Sequence, residues 1–361
     1  MSSAEQPAPP PAEHQPDAIS YRSRFYAAFW GTFIGDALSM PTHGYSSPDH
    51  IERDYGWPGD YRAPGPPHPD SPLYRTHYER LNERNAIMHT REQSWRVPGA
   101  HPHAGLTAGD NTINLQLARV LLESLEACRG YDPEDYLRRY VDFFLNPDGN
   151  ADHYITHAHR EFFKNYARGK DLRQCGMQGT HLDGVVLCLP LMLLHARDLR
   201  TMKQVACAHL ALTHRGEAVA RGVEFACETL HYMLEGFDVE TALFERVGRE
   251  RYTFLTMPYR RWRDQYDDRY VVAHELGRGP LCEEAIPLIL YLAIKYHADP
   301  ELALATNASL GGDNAHRGAI LGALLGAVNG CEAIPGEWVE GLTACAELDR
   351  LSDVLWELSG N

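Results

Sequence analysis

Length, composition and charge exclude several classes of protein before any motif is considered. The chain has 361 residues, 44% of them hydrophobic and 23% charged, which is ordinary for a globular protein and enough for a sizeable core. Its formal net charge of -15 argues against a nucleic-acid-binding surface. No apolar run reaches the roughly 18 residues that a membrane span requires. We therefore expect a small-molecule substrate and neither a nucleic-acid nor a membrane partner; the sequence predicts no oligomeric state.

The cysteines and the amino terminus indicate one compartment. The eight cysteines include no Cys-x-x-Cys pair and lie in apolar or helical surroundings, so we expect reduced thiols and a cytoplasmic location. Residues 1–20 are rich in proline, alanine and glutamine and lack the apolar centre of a signal peptide, which predicts a disordered tail. The remainder, residues 21–361, is predicted to form a single domain.

Helical periodicity begins near Tyr21. Gly31 and Gly35 repeat at helical spacing, and Asp36 follows in a stretch that should be buried. A buried carboxylate needs a partner, so Asp36 either caps a neighbouring backbone or faces a polar site.

The next segment, residues 46–105, replaces this pattern with proline, glycine, histidine and aromatic residues. It is too long for a simple connection, and loops of this length are often functional. We predict a loop segment near the site and no separate domain. His101 and His103, at its end, are candidates to close over a ligand.

An apolar stripe after Gly109 predicts the following helix, with Asp110 or Asn111 placed to cap it. Further helical periods cover Tyr136–Leu145, Tyr154–Tyr166, Gly184–Ala196, Met202–Leu212, Ala218–Leu234, Val239–Phe244 and Glu284–His297. No run of alternating β-branched residues predicts a strand. The predicted fold class is therefore all-α.

The most regular pattern lies near the carboxyl end, where glycine recurs every four residues from Gly318 to Gly330. This spacing places the glycines on one helical stripe. Each one costs roughly 1 kcal/mol against alanine inside a helix, so a series indicates that another backbone packs along that face. We predict a buried central helix that begins near Asn314 and presents Asp313 and His316 at its positive end.

Three segments share a small-residue turn, an aspartate and an apolar helix: Gly35-Asp36-Ala37, Gly109-Asp110-Asn111 and Gly312-Asp313-Asn314. Taken singly, each aspartate is explained by an N-cap or a buried structural carboxylate. Taken together, they predict carboxylates that converge on one cleft, either as an acid/base pair or as a hard-cation site.

These segments carry a resemblance to the ADP-ribosylglycohydrolase family that runs from about Phe25 to Pro335. Gly109-Asp-Asn-Thr112 stands where the family has Thr-Asp-Asp-Thr, and Gly311-Gly-Asp-Asn-Ala-His316 is similar to its Gly-Gly-Asp-x-Asp-Thr. The resemblance implies the family's orthogonal all-α bundle and an activity on ADP-ribose-related bonds.

The departures from the family pattern concern its metal site. Members with hydrolase activity hold two magnesium ions through these motifs, and a glutamate soon after Gly-Asp-Ala often serves the reaction. By the resemblance Asp110 and Asp313 remain, and His43 falls where the glutamate would be. Four ligand positions carry other residues: Gly109, Asn111, Ala315 and His316. Magnesium prefers hard oxygen ligands, so we do not expect a di-magnesium centre.

A His/Asp centre is predicted in its place. His43 and His316 would transfer protons while Asp110 and Asp313 position hydroxyls. Alternatively, Asp110, Asp313 and His316 bind a single divalent metal ion. The predicted substrate-binding residues are Asp36, Asn111, Thr112, His103, His181, Asp183 and Asn314. For each histidine alone a packing role explains the residue equally well, and Asp183 fits a helix cap.

The leading functional hypothesis is a hydrolase that acts on a glycosidic or ribosyl-type bond of a small polar substrate. Two alternatives remain open on the same fold. One is a lyase or dehydratase of small-molecule metabolism, and the other is a non-catalytic binding protein like the crystallin members of the family. His153, His157 and Glu161 share one predicted helix face and are a weaker metal candidate, which a solvated face explains better.

Overall fold

The computed structural model of the chain describes residues 19–248 and 250–360. The predicted disordered tail falls on residues 1–20, so all but its last two residues lie outside the described part. The described part is all-α, as predicted. All eight cysteines are free thiols, which agrees with the expectation of reduced cysteines. Within the described residues, no helix combines the length and apolar character needed to cross a membrane.

The helices are α1 (Tyr21–Ser39), α2 (Pro48–Tyr55), α3 (Ile113–Cys128), α4 (Pro133–Leu145), α5 (His157–Ala167), α6 (Asp183–Val186), α7 (Leu189–Leu194), α8 (Leu199–Thr213), α9 (Glu217–Leu234), α10 (Val239–Thr241), α11 (Tyr259–Gln265), α12 (Asp268–Val271), α13 (Cys282–Lys295), α14 (Pro300–Leu310), α15 (Asn314–Asn329), α16 (Gly336–Glu340) and α17 (Cys345–Leu358). Two short strands, β1 (Met177–Gln178) and β2 (His214–Arg215), pair in parallel. Short 3₁₀ turns cover Met40–Thr42, Pro72–Arg75, Glu83–Asn85, His89–Gln93, Leu172–Gln174, Thr253–Thr256 and Cys331–Ala333, and π-helical turns cover Ala242–Gly248 and Val272–Leu276.

Helices α1 and α15 pack backbone against backbone at the centre of the fold. Gly31 lies opposite Gly322, and Gly35 lies opposite Gly318. A Cβ atom built on Gly322 would overlap the carbonyl oxygen of Gly31, so the two helices approach this closely only because both positions lack side chains. The prediction of a buried central helix with a second backbone along its glycine face is confirmed. We call this contact the glycine seam.

The turn before α15 depends on glycine for a second reason. Gly311 and Gly312 have φ values of +69° and +68°, in the left-handed region that side chains rarely adopt. The guanidinium of Arg317 is fully buried behind this turn and donates from Nη2 to the carbonyl of Gly311 at 2.6 Å and from Nη1 to that of Arg278 at 3.1 Å. The turn and the first residues of α15 are therefore held as one unit.

Several helix boundaries differ from the prediction. The predicted helix Gly184–Ala196 is two helices, α6 and α7, because Pro190 has no amide hydrogen to donate and its ring clashes with the preceding turn. Within the segment 46–105, predicted to be loop, Pro48 at the first helical position begins α2. Helix α14 was not predicted.

Candidate functional site

A cavity of about 460 Å³ lies between the segment that follows α1 and the turn that precedes α15. Its lining residues are His43, Gly44, Tyr45, Ser46, Asp70, Pro72, Pro102, Tyr154, Arg278, Gly279, Pro280, Gly312 and Asp313. Four of them belong to the Pro- and His-rich segment 46–105. The cavity is of the size that small-molecule sites have in other proteins.

One carboxylate and two imidazoles meet at the inner wall of this cavity. Oδ1 of Asp313 lies 3.1 Å from Nε2 of His43 and 2.6 Å from Nδ1 of His316. All three side chains are buried, and Oδ2 of Asp313 finds no hydrogen-bond partner among the described residues although Asp313 is only 6% exposed. We call these three residues the central triad.

A second line of contacts fixes the ring of His43 from its other side. Nδ1 of His43 lies 2.8 Å from Nε2 of His103, and Nδ1 of His103 lies 2.8 Å from Oδ1 of Asp152. Asp152 also accepts hydrogen bonds from the backbone amides of Ile113 and Tyr154. This buried carboxylate therefore holds His103, which in turn orients His43.

His316 is fixed in a similar way. Its Nε2 lies 3.1 Å from Nδ2 of Asn114, and Oδ1 of Asn114 lies 2.9 Å from Nε2 of His159. Tyr140 completes the line, with its hydroxyl 2.8 Å from Nδ1 of His159. Both histidines of the central triad are thus tied to buried polar partners on the side that faces away from Asp313.

Burial and neighbouring charges shift the pKa values of the central triad in opposite directions. Burial alone would lower the pKa of His316, but the Asp313 carboxylate raises it to about 9. For Asp313, burial raises the pKa, but the imidazoles of His316 and His43 outweigh it and hold the pKa well below its usual range. Burial lowers the pKa of His43 to about 4 despite the contact with Asp313. At neutral pH Asp313 is therefore ionised and His43 is neutral.

Comparison with known proteins shows the family of this chain. The ADP-ribosylglycohydrolase family profile matches residues 17–361, which is nearly the whole sequence. The chain belongs to the ADP-ribosylglycohydrolase family. It is 26% identical over 345 residues to an uncharacterized protein of Archaeoglobus fulgidus, with 93% of this chain and 96% of that protein covered.

A human relative and a solved structure agree with this assignment. The chain is 25% identical over 301 residues to human ADP-ribosylhydrolase ARH3, with 72% of this chain and 81% of that protein covered. A solved structure titled ADP-ribosylglycohydrolase-related protein complex superposes with a TM-score of 0.64 at 22% identity, covering 94% of this chain and 99% of that one. The chain therefore has the ADP-ribosylglycohydrolase fold, and the family to which it belongs is one of hydrolases that act on ADP-ribose-type bonds.

The two magnesium ions that the family resemblance implies do not fit the residues of this chain. Oδ2 of Asp110 closes a turn by accepting from the amide and the hydroxyl of Thr107, at 2.7 and 2.8 Å. Gly109 has φ +83°, and a Cβ there would collide with the carbonyl of Gly341, so no threonine can occupy this ligand position. Ala315 offers no ligand atom. The remaining donors include two imidazoles, which magnesium does not favour.

The structure corrects the predicted placement of Asp110. Its carboxylate lies on the wall of a different pocket, together with Arg119 and Glu347. Asp110 is thus not at the floor of the site cavity, and the predicted metal set of Asp110, Asp313 and His316 is not assembled. His43 stands in its place beside Asp313 and His316.

Asp36, Asn111 and Thr112 form a cap and do not line the site cavity. Asp36 accepts from the Thr112 amide at 2.8 Å, the Thr112 hydroxyl at 2.6 Å and the Asn111 side chain at 3.0 Å. The predicted cap of α3 by Asp110 or Asn111 is therefore wrong, because Asp36 reaches that helix end from α1. Its carboxylate at the amino end of α3 also suits the helix dipole.

Three other predicted binding residues, Asn314, Asp183 and His181, are not among the residues that line the cavity. Asn314 donates to the hydroxyl of Thr42 at 2.7 Å and to a backbone carbonyl. Asp183 is buried with its Oδ1 3.2 Å from Nε2 of His214. His181 pairs through its backbone with Leu281, the residue that follows Pro280 of the cavity wall.

Two of the weaker candidates also have structural partners. His101 places Nε2 at 2.9 Å from the Pro41 carbonyl, and its Nδ1 accepts from the amide of His103. Glu161 accepts from Lys164 at 2.7 Å, which agrees with a solvated helix face and not with a metal site.

Sequence reasoning missed three residues that hold the site. Asp152 lies in the loop between α4 and α5, where no local motif marks it. Asn114 lies in the first turn of α3, and an uncharged side chain there does not indicate a site. Arg317 follows His316 directly, and its position in an otherwise apolar helix was the one signal available.

Proposed function

We propose that this chain hydrolyses a glycosidic or ribosyl-type bond of a small polar substrate bound in the site cavity, with the central triad as its reaction centre. The observation that carries the proposal is Oδ2 of Asp313. This buried carboxylate oxygen has no partner within the described part of the chain, and Asp313 lines a cavity large enough for a small molecule. A buried polar atom of this kind costs stability unless a ligand or water satisfies it.

The charge of Asp313 suits the hydrolysis of such a bond. Glycoside hydrolysis passes through a transition state in which the sugar ring gains positive charge. An ionised carboxylate that is fixed beside the cavity stabilises this charge without having to reorient. Both imidazoles lie against Oδ1, so Oδ2 is the oxygen that is left without a partner among the described residues.

His43 is the side chain that transfers a proton in this proposal. It lines the cavity and is linked through His103 to the buried carboxylate of Asp152. A charge that develops on the His43–His103 pair is therefore balanced by carboxylates at both ends. Proton transfer by a positioned side chain contributes roughly 10²–10⁴ in rate.

The lining of the cavity favours a compact substrate that carries a ring. Tyr45, Tyr154 and three prolines provide flat apolar surfaces, and Asp70 and Asp313 provide acceptors for hydroxyl groups. The free thiols are in keeping with a cytoplasmic enzyme, and that location remains a prediction.

Substitution of Asp313 and His43 tests the proposal. Purified protein is assayed for release of ribose from 4-nitrophenyl ribofuranoside and from adenosine, and for release of ADP-ribose from an ADP-ribosylated peptide. We expect turnover of at least one substrate, with a fall of roughly 10²–10⁴ in Asp313→Asn and His43→Ala. Asp148→Asn, a change at an exposed loop position, serves as the matched control and should retain wild-type turnover.

The same assay separates the competing hypotheses. Incorporation of ¹⁸O from labelled water into the sugar supports hydrolysis, whereas an unsaturated product without label indicates a lyase. Binding of a substrate without any turnover indicates a non-catalytic protein. A loss of turnover in Asp110→Asn alone, with Asp313→Asn fully active, would refute the placement of the centre at the central triad.

A further inference from the structure

We infer that the central triad binds a single divalent transition-metal ion through Nε2 of His43, Nδ1 of His316 and the carboxylate of Asp313. The inference concerns the same centre as the proposed function and rests on it for the chemistry, but not for the binding itself. The ligand class is a first-row metal between manganese and zinc, because imidazole and carboxylate together suit these ions and do not suit magnesium.

The spacing of the donor atoms is that of a metal site. The three ligand atoms lie within 4.8 Å of one another, and all three residues are buried. Two ligands on a tetrahedral ion with bonds of roughly 2.0–2.1 Å lie about 3.3 Å apart. Nε2 of His43 and Oδ1 of Asp313 are 3.1 Å apart, so this pair already has the required separation. Nδ1 of His316 and Oδ1 of Asp313 are 2.6 Å apart, so these two atoms must separate by a fraction of an ångström to bind the same ion.

The hydrogen-bond donors and acceptors around His43 leave a place for a cation. Asp152 is an acceptor, so His103 carries its proton on Nδ1 and offers a lone pair at Nε2. His43 then donates from Nδ1 to His103, which leaves a lone pair on its own Nε2. That lone pair faces Oδ1 of Asp313, and two acceptors in contact repel each other. A cation between them removes the repulsion, and it is either a proton or a metal ion.

A second observation favours the metal ion. Oδ2 of Asp313 is buried and has no partner in residues 19–248 and 250–360, and a proton shared between His43 and Oδ1 would not satisfy it. A metal ion beside the carboxylate can contact this oxygen as well. The adjoining cavity leaves room for water or substrate as a further ligand, which is the arrangement of catalytic zinc sites.

The residues around the central triad supply the outer contacts that metal-binding histidines need. The second ring nitrogen of such a histidine usually donates to a carboxylate, a carbonyl or water. His43 donates towards His103 and, through it, to Asp152. The Nε2 atom of His316 lies 3.1 Å from Nδ2 of Asn114, so this side-chain amide fixes the ring from its outer side.

Cobalt titration tests the site directly on the full chain. Protein is stripped with a chelator, dialysed, and titrated with Co²⁺ while the visible d–d absorption is recorded. We expect saturation at one equivalent per chain and a melting temperature that rises with Zn²⁺ or Co²⁺ but not with millimolar Mg²⁺. No absorption and no thermal shift with folded, stripped protein would overturn the inference and leave the proton as the cation.

Variants locate the ion. His43→Ala and His316→Ala should each weaken Co²⁺ binding by at least about 100-fold, and His43→Gln is the substitute if the alanine variant does not fold. Asp152→Asn should weaken it by about 10–100-fold, because Asp152 orients the ligand through His103. His297→Ala, an exposed histidine on the surface, is the control and should bind like wild type. Unchanged binding in the two ligand variants would overturn the inference.

Failure of this inference is distinguishable from failure of the proposed function. Stoichiometric metal without any sugar release supports the site and refutes the hydrolase. Sugar release at an unchanged rate by chelated protein supports the hydrolase and overturns the metal site.

Discussion

The glycine seam yields the sharpest stability prediction, the substitution Gly322→Ala. A Cβ atom at this position would overlap the backbone carbonyl of Gly31, and an atom of the main chain cannot turn aside as the end of a flexible side chain can. The added methyl group therefore forces α1 and α15 apart at the middle of their contact.

The expected magnitude follows from two opposing effects. Alanine gains roughly 1 kcal/mol over glycine from helix propensity. Overpacking in a closely packed interior typically costs about 1–3 kcal/mol, and a gap of 0.5–1 Å forfeits a quarter to a half of the dispersion attraction at each neighbouring contact. Both helices carry buried residues along the seam on either side of Gly322. We expect a net loss of about 2 kcal/mol in the free energy of unfolding, and failure to fold for Gly322→Leu.

The assay is thermal and urea unfolding followed by circular dichroism. Gly336→Ala is the matched control, because a Cβ atom there meets nothing within 4 Å and its φ needs no glycine. The entropy of unfolding is about 2.1 cal/mol/K per residue, so a loss of about 2 kcal/mol in a chain of 361 residues lowers the melting temperature by roughly 2–3 °C. An equal or higher melting temperature in Gly322→Ala would show that the helices part at no cost and would refute the seam as the centre of the fold.

Two further predictions concern buried polar side chains. Asp36→Ala should lower the free energy of unfolding by about 1.5–3 kcal/mol, because Asp36 caps α3. Unchanged stability together with a raised KM would instead support the predicted role of Asp36 in substrate binding. Burial lowers the pKa of His209 from 6.5 to about 3. Between pH 6.5 and pH 3 the unfolded chain therefore takes up a proton at this residue that the folded chain does not. The free energy of unfolding is unaffected above pH 6.5 and falls by about 1.4 kcal/mol per pH unit as the pH is lowered towards 3. His209→Gln should reduce the pH slope of urea stability between pH 6 and 4 by that amount, and equal slopes would contradict the assignment.

The central helix could be predicted because a repeat of glycines at helical spacing has one simple physical explanation. Repeated glycines at helical spacing cost stability unless another backbone packs against them, and this argument gave both the helix α15 and its close contact. The same regularity marked Asp313 and His316 at its start. His43 was singled out only through the family pattern, since nothing in its local sequence distinguishes it from other histidines.

The remaining parts of the site depend on distant contacts that a sequence does not display. Asp152 is separated from His103 by 49 residues, and only the folded chain brings the two together. Asp110 illustrates the opposite error: it was placed in the site from its motif, but the backbone of Gly109 folds against Gly341, and the carboxylate turns to Thr107. Which way a polar side chain points at a helix start is decided by such packing.

Backbone packed on backbone leaves no side chain in the seam whose exchange would slide one helix along the other. His43 lies four residues past Ser39, the end of α1, and His316 lies in the first turn of α15. Main-chain geometry therefore sets how far apart the backbones of these two residues lie, while His103 and Asn114 orient their rings. A substitution elsewhere in the core that leaves this contact intact changes the fraction of molecules that is folded, while the folded ones keep the same spacing. Sequence drift in most of the chain is in this way uncoupled from the chemistry of the cavity.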